Sequence, residues 1–209
     1  MEEAVSFRTG GVSLEGLLSL PDRPARTGIV VCHPHPLRGG EMRNNVVEAL
    51  VRAFMAEGHA TLRFNFRGVA GSTGEYDDGE GEQDDVTAAV GYLLSRQVFE
   101  RVVVAGYSFG SIVGLKAGGN DARVSALIGV ALPVARRDAS FVSRIDKPTL
   151  LISGDCDPFS PIADLRGLLD AMTGPKALEI VSGTDHFFIR REEEVGEAAV
   201  TFLRETSSG

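Results

Sequence analysis

The sequence predicts an α/β fold, with a mostly parallel central sheet of about eight strands and helices on both faces. Three observations carry this. Short apolar, β-branched runs alternate with amphipathic helical stripes along most of the chain. Ile29-Val30-Val31 and Val102-Val103-Val104 are apolar without alternation, as in strands covered on both sides. No repeat, low-complexity tract or Pro/Gly/Ser linker divides the 209 residues, so a single domain over residues 1–209 is expected.

Val12–Leu20 alternates apolar with small or polar residues and reads as an early strand, paired with Val5–Arg8. Gly28–Cys32 is a buried strand. Asn45–Glu57 carries a helical stripe of Val46, Val47, Leu50 and Phe54, and Gly58 fits a C-terminal stop. Ala60–Phe66 is the next strand, and Asp84–Gln97 is helical through Val86, Val90, Leu93 and Leu94. Val102–Ala105 is a central strand followed by a helix of small and apolar residues, Phe109–Gly118. Val124–Val130 and Thr149–Ile152 are buried strands. Ser160-Pro161 reads as an N-cap with proline in the first turn, opening a helix to Met172. Leu178–Val181 and Arg190–Leu203 supply the last strand and helix.

Composition narrows the function. The net charge of −8 opposes binding to phosphate backbones, so no nucleic-acid partner is expected. Two cysteines, Cys32 and Cys156, are too few for a disulfide scaffold and fit a reducing compartment. They fall on strands roughly 14 Å apart, beyond the ~7 Å a bridge spans. Met1–Ala4 lacks a basic, then apolar, leader, and no apolar run is long enough to span a bilayer. A cytoplasmic protein, monomer or homodimer, without a membrane partner is expected. Glycine, at 25 residues, is abundant without a collagen-like period, which points to tight turns.

The strongest motif is Gly106-Tyr107-Ser108-Phe109-Gly110, a G-x-S-x-G between a strand and a helix. Alone the pentapeptide is a common turn. In this context the glycines permit a sharp turn that lifts the Ser108 hydroxyl off the sheet. A serine nucleophile needs a base, and His186, between the last strand and the last helix, is the candidate. Gly154-Asp155-Cys156-Asp157 offers two carboxylates to orient it; either aspartate alone also reads as a turn former. An oxyanion would need two N–H donors: Phe109, after the serine, and one from His33-Pro34-His35-Pro36. Prolines have no N–H, so His35 is the donor between them. His33 and His35 in H-x-H spacing lack an evident third ligand, so no metal and no cofactor is expected.

Together these residues resemble the small lidless bacterial α/β-hydrolases with an H-P-H-P loop. The resemblance rests on His33 to Gly40 with Met42 and Asn44, on Phe64-Asn65-Phe66-Arg67-Gly68-Val69 with Ser72 and Gly74, and on Asp77, Gly79, Gly81 and Glu82. Late in the chain it rests on Gly154, Asp155 and Asp157, and on Asp185 to Phe188. It implies that Asp157 is the triad acid and Asp155 a supporting residue. It departs at Ala70, Glu41 and Asn45, where the family commonly has Gly, Thr and Lys, and these bear on substrate preference.

The resemblance implies a carboxylesterase-like serine hydrolase for small ester or thioester substrates, acting through Ser108, His186 and Asp157 with the Phe109 and His35 N–H groups. Its pocket is expected to draw on His33, Leu37, Asn44, Tyr107, Phe159 and Phe187. Phe109, Phe159, Phe187 and Phe188 offer an apolar rim, with core packing an equal reading for Phe188. Only sixteen residues, Leu132–Lys147, lie where larger relatives insert a lid, so an open site follows. The alternative is a non-catalytic small-ligand-binding protein on the same fold. The acidic stretch from Glu75 to Asp85 lacks calcium-loop spacing and reads as dipole-complementing acids. Gly68, Gly71 and Gly74 lack the nucleotide-loop spacing, and Arg67 is expected to pair with an acid.

Overall fold

The computed structural model describes residues 2–206. Eight strands form one sheet: β1 (Glu2–Thr9), β2 (Val12–Ser19), β3 (Thr27–Cys32), β4 (Ala60–Phe64), β5 (Arg101–Tyr107), β6 (Ala126–Val130), β7 (Thr149–Gly154) and β8 (Lys176–Val181). Their order is β1-β2-β4-β3-β5-β6-β7-β8. β1 and β2 form an antiparallel hairpin, β2 pairs antiparallel with β4, and the other pairs are parallel.

Side-chain alternation divides the core in two. Ile29 and Val31 of β3, with Val103 and Ala105 of β5, face α1 (Asn45–Ala56) and α5 (Glu192–Glu205). Val30, Val102 and Val104 face the other side, against α2 (Gly81–Arg96), α3 (Phe109–Asn120) and α4 (Ile162–Asp170). The uniformly apolar runs read from the sequence are therefore strands buried on both faces.

From β3 the chain leaves for α1 on one face and then β4 on one flank. From β5 it leaves for α3 on the other face and then β6 on the opposite flank. The loops after β3 and β5 thus diverge, and a crevice opens at their carboxyl ends, the usual ligand position in such sheets. Among the described residues the segment between β6 and β7 holds only a 3₁₀ turn, Ser140–Arg144, and no cap. No helix among them is long and apolar enough to cross a membrane.

Several boundaries differ from expectation, and three of the differences have identifiable reasons. α2 begins at Gly81, three residues early, because the buried Glu82 carboxylate accepts from the Asp77 and Gly79 N–H groups at 2.9 and 2.8 Å and shapes that turn. α5 begins at Glu192 rather than Arg190, because Phe188 and Arg190 have positive φ, 53° and 65°. Ser160 is not the cap of α4: Pro161 holds that position and makes no side-chain cap bond. The Ser160 N–H is turned toward Asp157 instead.

Candidate active site

The turn after β5 is strained. Ser108 has φ 54° and ψ −116°, a conformation L-residues seldom adopt. Its N–H donates to the Val130 carbonyl at 2.9 Å, which pins the turn to β6. Two glycines make the turn possible by close approach. A Cβ on Gly106 would meet the Gly110 oxygen at 2.1 Å, and one on Gly110 would meet the His33 oxygen at 2.4 Å. The second contact presses the start of α3 against the loop after β3. Phe109 and His35 are thereby brought to one corner of the crevice, and among the described residues neither of their N–H groups has a protein acceptor.

Ser108 Oγ lies 2.9 Å from His186 Nε2, and His186 Nδ1 lies 2.7 Å from Asp157 Oδ2. A carboxylate only accepts, so Nδ1 carries the proton and Nε2 is free to accept from the serine hydroxyl. The other Asp157 oxygen accepts from the Phe159 and Ser160 N–H groups at 2.8 and 3.2 Å. Both partners of this carboxylate–imidazole pair are buried. The Tyr107 hydroxyl donates to the His186 carbonyl at 2.9 Å, tying the histidine loop to β5. Burial pushes the Tyr107 hydroxyl well above its ordinary pKa, so it remains a donor.

Of the two aspartates, only Asp157 reaches His186. Asp155 is exposed and accepts from the Gly183 N–H at 2.7 Å, linking the loops after β7 and β8. That backbone bond, more than any other contact, holds its carboxyl below the usual range.

A cleft of about 590 Å³ opens over Ser108. His35, Asn44, Tyr107, Phe109, Phe159 and Phe187 line it. Asn44 also caps α1, its side chain accepting from the Val46 N–H at 3.1 Å. Two expected pocket residues do not line it. Leu37 is 70% exposed, because the 3₁₀ turn Pro36–Arg38 points it outward. His33 is fully buried behind the loop: Nδ1 donates to the Pro34 carbonyl at 2.6 Å, and Nε2 accepts from the Phe66 N–H at 3.0 Å. Burial lowers its pKa to about 4, which keeps the ring neutral. His35 is lowered by burial first and by Arg137 and Arg38 next. Phe188 packs in the core between the sheet and α5 rather than at the rim.

Arg67 pairs with the buried Asp85 at 2.8 Å. Cys32 and Cys156 are both free. Among the described residues, no group of three His, Cys, Asp or Glu is placed to hold a metal. Sequence reasoning missed three arginines of the cleft, Arg38, Arg136 and Arg137. Arg38 ends a 3₁₀ turn, and Arg136 and Arg137 are adjacent in the segment after β6, where no periodicity marks them.

An eight-stranded sheet of this order, an uncapped crevice and a serine on a strained strand–helix turn define a lidless α/β hydrolase. The chain belongs to the alpha/beta hydrolase domain family, whose model matches residues 29–206. It is 32% identical to an alpha-beta serine hydrolase homologue from Coxiella burnetii, with 97% of this chain and 96% of that one covered and a TM-score of 0.87. It is 30% identical to a serine hydrolase without a lid from Xanthomonas campestris, covering 98% and 94% of the two chains, with a TM-score of 0.88. An uncharacterized protein of Rickettsia prowazekii is 29% identical over 199 residues, 91% of this chain and 84% of that one.

Proposed function

We propose that the protein is a carboxylesterase-like serine hydrolase of small acyl esters or thioesters, acting through Ser108, His186 and Asp157. The unbroken chain of hydrogen bonds from Ser108 through His186 to Asp157, at 2.9 and 2.7 Å, carries this reading.

Each group has a role its chemistry suits. His186 Nε2 takes the Ser108 proton as Oγ attacks the substrate carbonyl. The imidazolium that forms is stabilised by Asp157, whose Oδ1 stays fixed by the Phe159 and Ser160 N–H groups. The Phe109 and His35 N–H groups receive the oxyanion, and the amino end of α3 adds its dipole. His186 then protonates the leaving alcohol or thiol as the carbon–oxygen or carbon–sulfur bond breaks. Water, deprotonated by His186, attacks the acyl-Ser108 ester; collapse of the second oxyanion releases the acid and returns the proton to Ser108. Without a cap the cleft buries little of a long acyl chain, which favours short, water-soluble substrates.

Two free cysteines, Cys32 buried and Cys156 exposed, and the net charge of −8 fit a reducing cytoplasm and a small-molecule substrate. Intact-mass labelling with a fluorophosphonate tests the reading. One probe per wild-type chain is expected, and none on Ser108→Ala or His186→Ala. A folded wild-type protein that takes up no probe overturns the triad and favours a ligand-binding role for the same cleft.

A further inference from the structure

The charge of the cleft runs against that of the chain. All its charged lining side chains are Arg38, Arg136 and Arg137, with no lining Asp or Glu, in a chain of 29 acidic and 21 basic residues. Arg137 is neutralised, donating to Asp78 Oδ1 at 2.8 Å and to the Tyr76 hydroxyl at 2.9 Å. Arg38 and Arg136 are not. Among the described residues neither guanidinium has a carboxylate at ion-pair distance.

Both charges are held near the reacting groups. The Arg136 guanidinium sits over the Phe159 ring at 5.3 Å, and Phe159 meets the His186 ring edge-on at 4.9 Å. Arg136 is thus two ring contacts from the base, ordered by a cation–π contact without being neutralised. Arg38 closes the 3₁₀ turn that begins immediately after His35. The two unpaired forks therefore come from different loops into one cleft. A planar guanidinium with no internal partner suits bidentate recognition of a carboxylate or phosphate. A wholly neutral ester would leave both forks to solvent. Against a net charge of −8 for the chain, this local reversal concentrates anions where Ser108 lies.

Resting on the serine-hydrolase reading above, we propose that the substrate is an ester or thioester bearing an anionic group, a carboxylate or phosphate, held at the cleft mouth by Arg38 and Arg136.

Two matched pairs test this. The mono-p-nitrophenyl ester of glutaric acid against p-nitrophenyl pentanoate places a carboxylate on the acyl side. Butyryl-phosphopantetheine against butyryl-pantetheine places a phosphate on the leaving side. In low salt, kcat/KM is expected to favour the charged member by about tenfold in at least one pair, and that pair identifies the anion. R38Q and R136Q should each cut the preference about three- to tenfold, and ~0.5 M salt should erode it. R23Q removes an exposed charge from the segment leading into the amino end of β3, the far side of the sheet, and should leave the preference as it is. A preference of one or less in both pairs, or one untouched by R38Q and R136Q, overturns the proposal. Failure to cleave even the neutral esters would instead defeat the hydrolase reading. Calorimetry with Ser108→Ala and the same compounds then decides the anion site alone: tighter binding of the charged member, lost when R38Q or R136Q is added, supports it, and equal binding overturns it.

Discussion

The loop after β3 and the loop after β8 end at the same edge of the sheet, and each buries a histidine ring held at both nitrogens. His33 is bracketed by main chain, the Pro34 carbonyl and the Phe66 N–H. His186 is bracketed by side chains, the Asp157 carboxylate and the Ser108 hydroxyl. The difference decides what each ring can do. A backbone N–H only donates, so a second proton on His33 would set two donors face to face in a dry site. A hydroxyl both donates and accepts, and a carboxylate stabilises the extra charge, so His186 can gain and lose a proton with its partners still satisfied. On the proposed reading the two buried histidines of one chain thus serve differently, one as a fixed strut and the other as a proton carrier.

Substitution should separate them. His186→Gln is expected to lower ester hydrolysis by about 10⁴-fold, with the unfolding midpoint close to wild type. His33→Gln should act chiefly on stability, and its loss of kcat with an unchanged urea midpoint would erase the distinction between the two loops. A pH series sharpens it. The His33 pKa is depressed to about 4 in the folded state, against about 6.5 unfolded. Between those values the unfolded chain binds more protons, so folding stability falls as pH drops from 6.5 to 4 and levels off below. The window amounts to on the order of 3 kcal/mol. Urea melts at pH 7 and pH 4 measure it, and His33→Gln should flatten the decline; His35 and His59 are depressed in the same direction and leave a remainder. The smallest effect is expected from Tyr107→Phe, which removes the bond to the His186 carbonyl and should cost about 1 kcal/mol.

Much of this was legible from residue order. The double-sided burial of β3 and β5 follows from unbroken valine and isoleucine runs, and G-x-S-x-G between strand and helix places Ser108 at the crevice. The choice of Asp157 over Asp155 was not legible from local chemistry, since both stand in one turn and only the resemblance separated them. In space, Asp157 is the one whose oxygens meet both the Phe159 and Ser160 N–H groups and His186. Ser160 failed as a helix cap for the same reason: its N–H serves the carboxylate, and among the described residues its buried hydroxyl has no partner. His33 looked like a pocket residue because it stands two residues before His35, but its ring turns inward to the Pro34 carbonyl and the Phe66 N–H while His35 lines the cleft. The cleft arginines were invisible because a loop charge acquires meaning only when separate loops converge.

The backbone of Ser108 has an evolutionary consequence. A residue at φ 54° and ψ −116° is destabilised by about 1–3 kcal/mol unless it is glycine. Drift under pressure for foldedness alone would therefore carry position 108 toward glycine, a replacement that relaxes the turn while emptying it of its hydroxyl. A lineage that keeps serine there records continuing selection against its own thermodynamic preference.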